Sequence, residues 1–283
     1  MGLFLAVVVG IGWFISYYWN SPAILAIAIV FAVGMNVLSY WNSDKISLSL
    51  SGAKPADRDR FPELFRVVEN LAITAGLPMP RIFIIDDPAP NAFATGRNKE
   101  HAAVAVTTGL LALMDKNQLA GVIAHELSHI GNRDTLLMTV VVVLVGFIAI
   151  LANVFTRSMW FGGRRGNARE GGGEAGAILA IVGIVFVILS PIVAQLIQLA
   201  ISRKREFLAD ADGALLTRYP EGLASALEKI EAYGHPMARA NNATAHLFIS
   251  NPFGHQAFKG IAKLFMTHPP TQERIAALRG LAV

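Results

Sequence analysis

The sequence predicts a mainly α-helical, polytopic membrane protein with a small β-sheet in its polar part, and three observations predict it. Apolar residues make up 54% of the 283-residue chain and charged residues only 16%, against about 25% charged in an average soluble domain. Three long stretches, Met1 to Ser43, Thr135 to Thr156 and Ala175 to Ser202, contain no charged residue. The polar remainder carries helical periodicity, broken once by short runs rich in Ile, Val and Phe. With no cysteine, a disulfide framework, a thiolate metal site and a cysteine nucleophile are excluded. The net charge of +4 fits the basic flanks of spanning segments and gives no sign of a nucleic-acid partner.

Taken in order, residues 1–41 read as a transmembrane hairpin. Asn20-Ser21-Pro22 divides the first uncharged stretch into two halves, each near the ~20 residues that a helix needs to cross a bilayer. Trp13, Tyr17, Tyr18, Trp19, Tyr40 and Trp41 suit interfacial anchors. Lys45, Lys54, Arg58 and Arg60 follow the second helix while the turn carries no Lys or Arg, which places the following chain in the cytoplasm. Residues 42–134 form the first polar part: a helix from Pro62 with a stripe of Leu64, Val67, Val68, Leu71, Ala72 and Ala75, ending at Gly76. Short strands are expected at Arg81 to Ile85, Asn91 to Thr95 and His101 to Thr107, with a turn at Gly96-Arg97-Asn98. Asp115 and Gln118 form a capping-box pattern that opens a helix through at least His129. Residues 135–202 read as a second hydrophobic hairpin, kinked at Pro191, with a Gly- and Arg-rich loop at 157–174. Residues 203–283 read as mostly helical, with breaks around Gly234 to Pro236 and Asn251 to Gly254, and a short last helix opened by Pro269 and Pro270.

The chemistry lies in His125-Glu126-Leu127-Ser128-His129. Two histidines four residues apart on a helix present both imidazoles on one face, where they can hold one Zn²⁺, and Glu126 beside them can act as a general base. A catalytic zinc takes three protein ligands and keeps a position open. Glu206 and Asp210, also four apart, supply the third ligand and a carboxylate that orients a ligand imidazole. Asp212 is a weaker alternative for the third ligand. These residues lie on both sides of the second hairpin, so the metal must join 42–134 and 203–283 into one catalytic domain. An even number of crossings makes that possible.

His-Glu-x-x-His followed by Glu-x-x-x-Asp is the gluzincin pattern, and the wider sequence resembles the HtpX family of bacterial inner-membrane zinc proteases, relatives of the prenyl-protein endopeptidases. Besides the two motifs, the N-terminal hairpin, Asn91-Ala92-Phe93-Ala94-Thr95-Gly96, the apolar hairpin between the ligand helices, Ser202 to Asp210 and His268-Pro269-Pro270-Thr271 carry the resemblance. It implies a zincin-like catalytic domain facing the cytoplasm from a multi-pass inner-membrane protein, cleaving unfolded or membrane proteins in envelope quality control. It also implies His268 as an oxyanion donor, supported by Arg274. The mechanism then expected has zinc on His125, His129 and Glu206, with Glu126 taking a proton from water and passing it to the leaving amine. Substrate is expected to add as a strand along His101 to Thr107. A silent zinc-binding adaptor, a transporter and a regulatory anchor are the competing readings. Glu126 argues against the adaptor, and the lack of ionisable residues in mid-membrane argues against the transporter.

Overall fold

The structure is a computed structural model and describes residues 2–142, 202–254 and 269–281. Most of the second apolar hairpin, its Gly- and Arg-rich loop, Pro191 and His268 lie outside the described residues. The chain divides into two compact units, one of residues 1–41 and 143–196, the other of residues 42–142 and 197–283.

In the first unit, α1 (Gly2–Tyr18) turns through Trp19 to Ser21 into α2 (Pro22–Leu50), whose residues from Asn42 onward belong to the second unit. The turn falls at the expected Asn20, which adopts a left-handed φ of 48°. Ser16 Oγ donates to the Ser21 carbonyl at 2.9 Å. The two helices touch where Gly12 meets Ala28, so closely that a Cβ at position 12 would lie 2.3 Å from that of Ala28. Among the described residues, one helical stretch, Pro22–Asn42, is long and apolar enough to cross a membrane. At 17 residues, α1 spans roughly 25 Å at 1.5 Å per residue, short of the ~30 Å hydrocarbon core.

The second unit is built on a four-stranded mixed sheet of order β1-β2-β4-β3, with β1 (Lys54–Pro55), β2 (Arg81–Ile85), β3 (Ala92–Thr95) and β4 (Ala103–Thr107). β4 runs parallel to β2 (Ile82 opposite Val104) and antiparallel to β3 (Phe93 opposite Ala105). The expected substrate edge along residues 101–107 is therefore corrected. β4 is an interior strand whose two edges are both paired, and among the described residues β3 and β1 are the edge strands. Its alanines suit close packing, because both faces of the sheet are covered. On one face Ile82, Ile84, Val104 and Val106 pack with Leu64 and Val68 of α3 (Pro62–Thr74) and with Leu119, Val122 and Ile123 of α5 (Lys116–Gly131). On the other, Ile85, Phe93, Ala103 and Ala105 pack with Leu48, Met138, Leu247 and Phe248. Residues buried on both sides lose the in-out alternation of a half-exposed strand. Asp44, on the last turns of α2, accepts from Arg81 at the start of β2.

After α4 (Thr108–Leu113) comes the central helix α5 (Lys116–Gly131). Its capping box is formed as the sequence predicts: Asp115 Oδ1 accepts from the Asn117 and Gln118 amides at 2.9 Å, and Gln118 Oε1 accepts from the Asp115 amide at 3.1 Å. Residues 134–142 are again helical. Past the undescribed stretch, α6 (Arg203–Thr217) and α7 (Pro220–Tyr233) pack against α5, and α8 (Thr271–Arg279) packs on α7. The Arg279 guanidinium clamps α8 to α7 through Glu221 at 2.7 Å and Glu228 at 2.8 Å.

One expectation fails between α7 and residue 254, where the sequence reads as helix between two breaks. The described chain there forms only a single 3-10 turn, Ala245–Leu247. Side-chain carbonyls compete with helix formation: Asn241 Oδ1 accepts from the Ala243 amide and Asn251 Oδ1 from the Phe253 amide. Phe248 and Ile249 leave the helical pattern to line the outer edge of β3, with the Ile249 amide donating to the Ala92 carbonyl at 2.9 Å.

In the second unit, α5 and α7 come into close contact at Gly121, where a Cβ would lie 2.5 Å from the Leu223 amide nitrogen. Gly121→Val should therefore lower stability by about 1–3 kcal/mol or more, as overpacking against backbone does. Gly131→Ala, at a site with nothing within 4 Å, should leave it unchanged or slightly raised. Thermal unfolding of the detergent-purified variants checks both.

Candidate metal centre

The burial of α5 sets the terms of the site. From Leu119 to Ile130 all but one of its residues are buried, and they include His125, Glu126 and His129. Ionisable groups removed from water need partners or a metal, and the neighbouring helix supplies them. α6 turns Glu206, Ala209, Asp210, Gly213 and Ala214 inward. Gly213 lets the two helices approach, since a Cβ there would lie 3.0 Å from the His125 amide.

His125 and His129 face each other edge to face, with ring centroids 4.7 Å apart and Nε2 atoms 3.2 Å apart. Glu206 closes the triangle: Oε2 lies 3.8 Å from His125 Nε2, and Oε1 lies 3.6 Å from His129 Nε2. One ligand atom from each of the three residues falls within 4.8 Å of the others. The structure thus brings together the three expected ligands from α5 and α6.

Behind each imidazole stands a carboxylate. His125 Nδ1 lies 2.9 Å from Asp210 Oδ1, in the orienting place the sequence assigns to Asp210. His129 Nδ1 lies 3.1 Å from Asp134 Oδ2. Each carboxylate is in turn held by a guanidinium. Arg274, on α8 and 2% exposed, donates from Nε to Asp210 Oδ2 at 2.8 Å and from Nη2 to Asp210 Oδ1 at 2.6 Å. Arg205 donates to Asp134 Oδ1. With each Nδ1 proton directed to a carboxylate, both Nε2 lone pairs point at the same spot.

The electrostatics follow from burial and these neighbours. Burial lowers His125 to about 4, aided by the Arg274 charge and opposed by Asp210. Burial also lowers His129, but the hydrogen bond to Asp134 and the charges of Glu206 and Glu126 outweigh it and lift His129 to about 9. Glu126 is pushed up to about 7, chiefly by burial, with Glu206 adding to the rise and His129 opposing it. The Ala94 amide on β3 donates to the Glu126 carboxylate, tying that group to the edge of the sheet. Burial would raise Asp210, yet the Arg274 guanidinium holds it far below the usual carboxylate range.

These donors fit a small divalent cation. Ligand atoms 2.0–2.1 Å from a tetrahedral centre lie about 3.3–3.4 Å from one another, and the two Nε2 atoms are 3.2 Å apart. With both imidazoles neutral, as metal ligands must be, and all four carboxylates ionised, Glu126, Glu206, Asp210 and Asp134 against the two guanidiniums of Arg274 and Arg205 leave two negative charges for a cation to balance. Asp212 does not join the site; it accepts from Asn132 Nδ2 at 2.8 Å near the surface. His268 lies outside the described residues.

Sequence reasoning missed two participants. Asp134 lies five residues after His129, outside the i, i+4 pattern, although a ligand histidine's need for an acceptor at its second nitrogen could have flagged it. The Ala94 amide carries no side-chain signal. Arg274 supports Asp210 directly, a contact the sequence reading did not assign to it, while its expected support of His268 falls outside the described residues.

Comparison with known proteins agrees with this geometry. A family model described as peptidase family M48 matches residues 58–282. A "Protease HtpX homolog" of Caldanaerobacter subterraneus subsp. tengcongensis is 48% identical over 283 residues, covering 99% of this chain and 93% of that protein. Proteins of the same description from Thermoanaerobacter pseudethanolicus and Pyrococcus furiosus are 51% and 50% identical, over 85% of this chain in each case and over 79% and 80% of their own lengths. The crystal structure of S. mikatae Ste24p is similar in fold, with a TM-score of 0.55 at 19% identity; the match covers 98% of this chain and 62% of that one.

Removing the buried cation beside Asp210 and Glu206 leaves two uncompensated carboxylates. Arg274→Met should therefore destabilise the protein by about 3–5 kcal/mol, with thermal unfolding at neutral pH as the check.

Proposed function

The chain belongs to peptidase family M48 and is a metallopeptidase, and on that premise we propose that it is a membrane-embedded zinc endopeptidase that cleaves misfolded or membrane proteins in envelope quality control. One observation carries the reading: a buried two-histidine, one-glutamate cluster with a further carboxylate, Glu126, beside it and shifted toward neutrality. His125, His129 and Glu206 would hold the ion. When bound, zinc supplies Lewis acidity that polarises the scissile carbonyl and makes water a nucleophile near neutral pH.

The rest falls to the chain's own side chains. Glu126 takes a proton from the attacking water as its oxygen bonds to the carbonyl carbon, and delivers it to the departing amine as the C–N bond breaks. Burial raises this carboxyl above the ordinary carboxylate range, which favours a group that must both take and return a proton. Asp210 and Asp134 fix the tautomers of the two histidines. Extended substrate is proposed to run beside β3, the edge strand whose Ala94 amide already reaches Glu126. His268 remains the proposed oxyanion donor.

The zinc identity rests on the nitrogen-and-carboxylate donor set. A multi-pass inner-membrane location with the catalytic unit in the cytoplasm draws on the spanning stretch Pro22–Asn42, the exposed aromatic side chains of Trp13, Tyr17, Tyr18 and Trp41, and the Lys and Arg residues that follow α2. The lipid bilayer and unfolded chains are the proposed partners; nucleic acid is not.

The test uses an unfolded protein substrate and detergent-purified enzyme. Chelation should abolish cleavage and one equivalent of zinc should restore it. Glu126→Gln should bind zinc as the parent does while cutting at least about 100-fold more slowly, the usual loss on removing a general base. Equal cleavage by parent and variant would overturn the assignment of Glu126.

A further inference from the structure

The two orienting carboxylates are held differently. The Arg274 side chain on Asp210 is 2% exposed, whereas the Arg205 side chain on Asp134 is 40% exposed and reaches Asp134 from the surface. The sequence positions differ too. Asp134 is the last residue before the second hydrophobic hairpin, whose first apolar stretch begins at Thr135, and Arg205 lies three residues after its second apolar stretch ends at Ser202. Their ion pair joins residues 71 apart, and its carboxylate touches a ligand histidine.

Local structure makes the join possible. α5 ends at Gly131, and Arg133 takes a left-handed φ of 61°. That reversal lets Asp134 fold back under His129, five residues earlier. Across the stretch, Ser202 is extended and α6 starts afresh at Arg203, so Arg205 and Glu206 sit side by side in its first turn. Arg205 then faces Asp134 while Glu206 faces the two imidazoles.

We propose that Asp134 and Arg205 form a clasp in which Asp134 is a positioning residue for His129, so that closing the two ends of the apolar stretch and shaping the metal site are one linked event. The inference rests on the metal-site reading above and adds the link between the Asp134–Arg205 pair and the closing of the hairpin's two ends. Of the two ligand histidines, His129 is the one whose support can be opened from solvent. The Asp134 carboxylate fixes the proton on His129 Nδ1 and so keeps Nε2 turned to the ion, while Arg205 holds Asp134 in place. Losing such an orienting carboxylate costs about 10–100-fold in metal affinity.

The full-length protein in detergent is titrated with Zn²⁺ against a competing chelator, and separately loaded with Co²⁺ so that its visible d–d bands report the ligand geometry. Asp134→Asn should bind zinc about 10–100-fold more weakly and shift the cobalt bands. Arg205→Met should move both in the same direction by less, and Arg205→Lys, which keeps the charge, should restore them. Unchanged zinc affinity and cobalt bands in Asp134→Asn and Arg205→Met, even with a lower unfolding temperature, would reduce the clasp to a structural staple and overturn the proposal. Failure of the parent itself to bind zinc would instead overturn the metal-site reading.

Discussion

Ionised groups cannot sit in a protein interior uncompensated, and the second unit places four carboxylates, two imidazoles and two guanidiniums around one contact between helices α5 and α6. Within this cluster the arginines offset half of the carboxylate charge, and the two imidazoles turn their free nitrogens toward each other. Once both imidazoles are neutral as ligands, a bound dication supplies what is missing. Much of the surrounding architecture serves that cluster: the capping box fixes where α5 begins and hence where its histidines face, Gly213 admits α6, and the clamp of Arg279 on Glu221 and Glu228 holds α8 so that Arg274 reaches Asp210.

The same constraint explains how a site can be divided along the chain. The ligands come from segments on either side of a long apolar stretch, and neither segment could bury its carboxylates alone. α5 with α3 and the sheet forms one half; α6, α7 and α8 form the other. Their contact is sealed by apolar packing and closed at the centre by charge. The sheet's second role is to bring a backbone donor to Glu126, because β3 lies at the edge and its outer side is lined by Phe248 and Ile249 only as far as Ala92 and Phe93. Ala94 is the next amide along, and it reaches the carboxylate.

Much of this was legible from residues alone, for identifiable physical reasons. Helix periodicity and caps are local, so α3, the start of α5 and the opening of α8 at Pro270 lie where the sequence puts them. The strands at Arg81 and Ala103 also follow local β-branched runs, and the spacing His125, His129, Glu206 and Asp210 encodes two helix faces directly. Strand order is not local. Nothing in Ala103 to Thr107 says that β2 and β3 flank it, and its small side chains suit an open edge as well as a covered interior. The irregular chain after Gly234 was misread because apolar residues such as Leu247, Phe248 and Ile249 mimic a helix core while they serve a sheet edge. Asp134 escaped because its contact with His129 needs the left-handed turn at Arg133, which no side-chain pattern announces.

The most direct test of the account is X-ray absorption at the zinc edge on the purified, zinc-loaded protein. Two imidazole nitrogens and one carboxylate oxygen from the protein, at about 2.0–2.2 Å and at one zinc per chain, are the predicted surroundings, with a remaining light-atom neighbour in the open position. A spectrum with no bound imidazole, or zinc held far below one per chain, would contradict the claim that the buried contact of α5 and α6 is a metal centre.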